Sequence, residues 1–173
     1  YRGLNHRLVD SDQFWAQAEK ALCNPDLDLP LFRDLSEEQS RSLLRTGTVL
    51  QCEAGDTVIH RGDPQNDLYV ILEGVAEVWR MDKDRRLCLA LLKAGDVFGE
   101  MGFLGRPTRS ADVVATTPIK ILILSQKFLN RSIHQQPFAS ALLLRNLSLV
   151  LAERLSQTTD HLWQLNYVQS EIN

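Results

Sequence analysis

Residues 98–115 read Phe98-Gly99-Glu100-Met101-Gly102-Phe103-Leu104-Gly105-Arg106-Pro107-Thr108-Arg109-Ser110-Ala111-Asp112-Val113-Val114-Ala115. Glycines at 99, 102 and 105 leave main-chain N–H groups uncovered and let a ligand come close to the backbone. One acid, Glu100, can accept hydrogen bonds from hydroxyl groups. Arg109 carries the planar donor fork that matches phosphate oxygens. Together these residues suit one small phosphate diester that carries sugar hydroxyls.

The flanks of this stretch set the fold. Short runs rich in Val, Ile, Leu, Tyr and Trp predict strands at 46–52, 57–60, 67–73, 75–80, 87–93, 112–116 and 119–124. Between them stand Ala54-Gly55-Asp56, Arg61-Gly62-Asp63-Pro64, Glu73-Gly74, Met81-Asp82-Lys83-Asp84 and Ala94-Gly95-Asp96, all residues suited to turns. Many short strands so punctuated predict a mainly β fold, a double-stranded β-helix (jelly-roll) barrel with helices on either side.

Helical periods lie outside the strand region. Over 8–22, Phe14, Ala18 and Leu22 recur at four-residue spacing beside Trp15 and Ala21, and Asn24-Pro25-Asp26 ends the pattern. Ser36 and Gln39 form a capping box leading to Leu43 and Leu44. A short helix is expected over 126–134, then a long one that Pro137 starts at its first turn. Along the latter, Ala141, Leu144, Ser148, Leu151, Leu155, Thr158, Leu162, Leu165, Gln169 and Ile172 alternate three- and four-residue steps, the seam of a coiled coil. Unbroken to residue 171 it would be about 50 Å long, more than a barrel needs as cover. A second copy of the same helix is the expected partner, giving a parallel homodimer; packing within the monomer is the alternative. The chain thus divides into an N-terminal helical extension or linker (1–30), a barrel containing the loop at 98–111 (31–136), and a C-terminal dimerisation and capping helix (137–173).

Composition narrows the function. At 173 residues with 44% hydrophobic side chains the chain can bury one core, and a net charge of −3 offers no basic surface for direct nucleic-acid contact. Apolar runs such as 119–124 fall short of the roughly 20 residues that span a bilayer. Cys23, Cys52 and Cys88 form no close pair, which predicts reduced thiols and a cytoplasmic setting. His6, His60, His134 and His161 are scattered without an H-x-H pair, so neither a metal nor a cupin-type metalloenzyme is expected. Tyr1 in place of Met reads as a fragment of a longer chain.

Helix, short strands, glycine-rich loop and long helix, in that order, resemble the cyclic nucleotide-binding domain family. Its phosphate-binding cassette has the common form Phe-Gly-Glu-(Leu/Met)-(Ala/Gly)-Leu followed by Arg-(Ala/Ser/Thr)-Ala. Here it stands as F-G-E-M-G-F at 98–103 and R-S-A at 109–111, with the nine-residue interval from Glu100 to Arg109 found in protein kinase A regulatory subunits. The resemblance covers about residues 31–162, extends to the sensor domain of the catabolite activator protein, and departs at Phe103, where most members have a small aliphatic residue.

The resemblance implies a non-enzymatic sensor for a cyclic mononucleotide, cAMP before cGMP, that transmits binding through its C-terminal helix. Arg109 would neutralise the phosphate, with the N–H groups of Met101, Gly102, Ser110 and Ala111 completing the cage. Gly99 and Gly102 would allow close approach, and Glu100 would accept from the ribose 2′-hydroxyl; a plain Glu100–Arg109 ion pair is the alternative. The Ser110 hydroxyl would touch phosphate or a guanine amino group, or serve the turn alone. Val78, Leu89 and Met101 would line an apolar wall, although Val78 and Leu89 fit barrel core equally well. Thr158 and Thr159 resemble the paired hydroxyl residues that cap adenine in the catabolite activator protein, one of them from the opposite subunit; Thr158 could instead set coiled-coil register. Arg106 is expected in solvent; reaching the phosphate instead, it would suit a more highly charged ligand such as a cyclic dinucleotide. Hydrophobic contacts among Phe103, Leu104, Phe128, Leu129 and Phe138 would join cassette to hinge. The rival function is a ligand-free relative that serves only for dimerisation. The attached output, whether transcription factor, transporter, channel or enzyme, is not specified by these residues.

Overall fold

The computed structural model describes residues 7–8, 16, 20, 24, 26–44, 47–105 and 108–172. In chain order its strands are β1 (Arg7–Leu8), β2 (Thr48–Cys52), β3 (Thr57–Ile59), β4 (Leu68–Glu73), β5 (Val75–Asp82), β6 (Arg85–Lys93), β7 (Val97–Phe98), β8 (Asp112–Ala115) and β9 (Ile119–Leu124). Its helices are α1 (Glu37–Leu44), α2 (Glu100–Phe103), α3 (Gln126–Gln135) and α4 (Pro137–Ile172), with a 3-10 turn at Pro30–Phe32.

β4 and β9 are apolar at nearly every position, the pattern of strands covered on both faces. They pair side by side inside an antiparallel sheet of order β1-β2-β9-β4-β7, and a second sheet has order β3-β8-β5-β6. Alternation along the strands decides which layer each side chain joins. Tyr69, Ile71, Ile119, Ile121 and Ile123 pack between the sheets against Val58, Ala76, Leu92 and Val113. Leu68, Val70, Leu72, Leu122 and Leu124 face the other way, onto Leu43, Phe128, Leu129, Leu143 and Leu147 of the helices. The jelly roll is therefore a two-sheet sandwich backed by helices, and among the described residues no ladder closes it into a barrel. The chain crosses from β6 to β7 through Lys93-Ala94-Gly95-Asp96, a turn in which the Asp96 carboxylate accepts from the Lys93 N–H (2.8 Å).

Several element boundaries differ from the sequence expectation. The β5–β6 hairpin runs on to Asp82 and resumes at Arg85, because Lys83 adopts a left-handed φ of 53° and turns the chain in two residues. β7, two residues long, is too short for periodicity to register. Leu8, expected to begin a helix, lies in β1 opposite Leu50. Ala16 and Lys20 are helical, whereas Phe14, Trp15, Ala18, Ala21, Leu22 and Pro25 lie outside the described residues.

The helix signals operate as written in the sequence. Ser36 N–H donates to Gln39 Oε1 (2.8 Å) and Gln39 N–H returns the bond to Ser36 Oγ (3.2 Å), the reciprocal capping box. Ser125 caps α3 by accepting from Phe128 N–H (3.2 Å), and Pro137 opens α4. The 36 residues of α4 span about 54 Å. Its first half buries Ala139, Leu143 and Leu147, and Ser140 donates to Ser132 of α3 (3.0 Å). Buried Asn146 donates to the carbonyls of Leu31 (3.2 Å) and Arg33 (2.6 Å), tying α4 to the 3-10 turn.

Candidate ligand-binding cleft

Positive φ at Gly99 (78°) ends β7 and begins α2, so the cassette changes from strand to helix within one residue. A cleft of about 660 Å³ opens beside it. Cassette residues 99–102 and 109–111 line one side, Val78, Leu89 and Leu91 a second, and Arg154, Gln157, Thr158 and His161 of α4 a third.

Arg109 is 4% exposed. Its Nη1 donates to the Gly99 carbonyl (2.8 Å), its Nη2 to the Asp67 carbonyl (2.8 Å), and its guanidinium carbon lies 5.2 Å from the Tyr69 ring centroid. Tyr69 in turn stacks on Phe98 at 4.9 Å. The Arg109 Nε–H is buried without an acceptor. A buried cation with no carboxylate partner among the described residues, and keeping an unused donor, suits an anion supplied from outside the protein.

This packing gives the glycines a more direct role than the sequence suggests. A Cβ on Gly99 would meet Arg109 Nη1 at 2.7 Å and the Asp67 carbonyl at 2.9 Å; one on Gly102 would meet Gln65 O at 2.8 Å and Arg109 Nη1 at 2.9 Å. Both glycines make room for the arginine itself.

Glu100 does not pair with Arg109. Its carboxylate lies 3.8 Å from Arg154 Nη1, and Arg154 Nη2 also donates to the Val97 carbonyl, so the long helix grips the cassette at its first acid. Met101 is 43% exposed at the cleft, and Ser110 Oγ lies 3.5 Å from Met101 Sδ. Ala111 is buried. Leu89 is 55% exposed, which removes it from the core; Val78 is half-buried, touching both core and cleft.

The two threonines separate. Thr158 lines the cleft, whereas Thr159 is not among its lining residues; each hydroxyl donates to the carbonyl four residues earlier (2.8 and 2.9 Å). Arg106 lies outside the described residues, as do the side chains of Leu165, Gln169 and Ile172. Phe103, Phe128 and Leu129 join the helix-side core, but Leu104 and Phe138 are exposed.

Sequence reasoning missed Arg154, Gln157 and His161. Their spacing with Thr158, at i, i+3, i+4 and i+7, places them on one helix face, but the leucine seam beside it drew the reading elsewhere. Cys52 is buried, and burial first, then Asp56 and Glu53, push its thiol up to about 11. It is thus protonated and unreactive near neutral pH. Among the described residues no group of three or more His, Cys, Asp or Glu could hold a metal ion, and no helix is long and apolar enough to cross a membrane.

Residues 49–136 match the family model of the cyclic nucleotide-binding domain. The chain belongs to that family, a class of regulatory ligand-binding domains. Thermus thermophilus catabolite activator protein is 30% identical, with a TM-score of 0.69 over 79% of this chain and 63% of that one. A cAMP-bound structure of PfPKA-R is 26% identical, with a TM-score of 0.56 over 69% of this chain and 42% of that one. Glutaminase 1 of Bradyrhizobium diazoefficiens is 36% identical over 126 residues, 73% of this chain and 20% of that protein. The chain spans about a fifth of the length of such curated relatives.

Proposed function

We propose that this chain is a receptor for a cyclic mononucleotide, cAMP in preference to cGMP, and that it passes occupancy to α4. The observation that carries the reading is Arg109, buried, with no carboxylate partner among the described residues and holding an unused Nε–H beside a glycine-lined helix start. A phosphate leaves water at large cost unless a cation and several donors replace its hydration. Arg109 supplies the cation; the N–H groups of Met101, Gly102, Ser110 and Ala111 supply further donors. Glu100, oriented by Arg154, accepts from the ribose hydroxyl. The purine then extends along the apolar wall of Val78, Leu89 and Met101 toward Thr158. Adenine is preferred because a related structure at 26% identity is bound to cAMP.

Signal transmission follows from where the walls belong. The cleft joins the cassette to α4, so a ligand filling it binds one placement of α4 more tightly than another and shifts the population accordingly. We further propose that α4 forms a parallel homodimer through Leu155 and Leu162, which are 68% and 56% exposed, with residues 31–136 as the sensing body and 137–173 as its output helix. In a longer protein the module would regulate an attached domain.

Calorimetric titration with cAMP and cGMP tests the reading. Micromolar or tighter binding with a rise in melting temperature is expected. Arg109→Leu should lose several kcal/mol of affinity, of the order of a charged hydrogen-bonded pair. No heat and no thermal shift at millimolar nucleotide would leave a dimerisation module without a ligand.

A further inference from the structure

One loop ties the cassette arginine to the first turn of α3, and the tie is polar. Gly62 N–H donates to the Arg109 carbonyl and Arg109 N–H donates to the Asp63 carbonyl, both at 3.0 Å. The Arg109 fork reaches the same loop again at Asp67 O. From that loop Asn66 Nδ2 donates to Gln126 Oε1 (3.3 Å), and Gln126 Nε2 donates to the Phe103 carbonyl (3.1 Å). Gln126 is the first residue of α3 and Phe103 the last of α2. A single side-chain amide therefore spans three elements, using both of its ends.

The network is also incomplete, since Asn66 Oδ1 is buried with no donor. A buried acceptor left unpaired is costly, so a small shift that pairs it would be favoured. The hydrophobic contacts nearby are non-directional, whereas an amide hydrogen bond weakens steeply when misaligned.

We propose that Gln126 is a positioning residue for ligand binding: through Asn66 it holds the 62–67 loop so that Asp67 O orients the Arg109 fork, and through the same bond it reports a change at Arg109 to α3. The inference rests on the cyclic nucleotide reading. An anion on Arg109 competes with the Asp67 carbonyl for one guanidinium; the loop responds, and Asn66 transmits the displacement. From α3 it reaches α4 through the Ser140–Ser132 hydrogen bond.

The test combines cAMP calorimetry with amide hydrogen exchange of residues 126–135, on wild type, Gln126→Ala, Asn66→Ala and the double variant. Each single variant should weaken cAMP about tenfold, and the double no more than either, because both break one chain of contacts. The ratio of cAMP to 2′-deoxy-cAMP affinity should stay at the wild-type value, since Glu100 is untouched. The cAMP-induced change in exchange of residues 126–135 should vanish. Gln126→Glu keeps the acceptor for Asn66 and loses only the donor to Phe103, so it should retain both the affinity and the exchange response, and loss of either would overturn the proposal. Wild-type affinity in Gln126→Ala, additive losses in the double variant, or a helix response that survives in the alanine variants would overturn the proposal, as would a loss explained by faster exchange throughout the fold. If wild type binds neither cAMP nor cGMP, the receptor reading itself falls, and this inference with it.

Discussion

The two halves of α4 draw on similar residues, yet the fold uses them differently. Up to Leu147 the helix is core: Ala139, Leu143 and Leu147 are no more than 2% exposed, and Asn146 is buried beside them. Beyond Leu151 the same leucine-rich pattern emerges into solvent, with Leu155, Leu162, Trp163 and Tyr167 between 56% and 73% exposed. On another face of the helix, Arg154, Gln157, Thr158 and His161 line the cleft. The contrast teaches that apolar periodicity reports a helix's phase without naming its partner. One half is committed on folding, whereas the other carries both the ligand-facing side chains and the exposed stripe.

Substitutions along α4 can break or sharpen this division. Leu143→Ala should have the largest effect, about 2–5 kcal/mol of stability by urea unfolding, since it opens a cavity between the helices and the β1-β2-β9-β4-β7 sheet. A cost below about 1 kcal/mol would mean that the first half is not core. Arg154→Gln should next remove about 1–2 kcal/mol of cyclic nucleotide affinity, by releasing Glu100 and the Val97 carbonyl, with little change in unfolding. Thr158→Ala should cost about 1 kcal/mol of affinity, of the order of a single hydrogen bond, and Thr159→Ala nothing in a single chain. Equal losses at the two positions would place Thr159 in a partner's cleft. Leu155→Glu combined with Leu162→Glu should move stability least, within about 0.5 kcal/mol, yet convert dimers to monomers by sedimentation. A dimer that persists would assign the exposed stripe to another partner.

Much of this was legible in the sequence because local chemistry fixed it. The Ser36–Gln39 box, the Pro137 helix start and the strand–turn series carry their own geometric requirements, and each appears where those residues stand. The cassette could be recognised by its resemblance to the family's motif at 98–103 and 109–111, and the family itself is shown by the match over residues 49–136. What could not be read was long-range: that Arg109 is held by Gly99 and Asp67 carbonyls, that Glu100 meets Arg154, and that Asn66 meets Gln126 sixty residues away. Such contacts depend on how the sheets and helices pack, and neither periodicity nor propensity encodes it. The turn expected at Met81–Asp84 is there but tightens to Lys83-Asp84, because a left-handed lysine gives no glycine signal.

Asn146 sets where α4 can flex. Both hydrogen bonds that its Nδ2 donates end on main-chain carbonyls of the Leu31–Arg33 turn, so swinging the helix as a rigid rod would strip two acceptors of their donor, at about 1–3 kcal/mol each. Just beyond it, Ser148 Oγ bonds back to the Leu144 carbonyl (2.8 Å), an arrangement that tends to bend helices. The cheaper motion is a pivot near Ser148, with the anchored stub as fulcrum and the last twenty-odd residues as the lever arm.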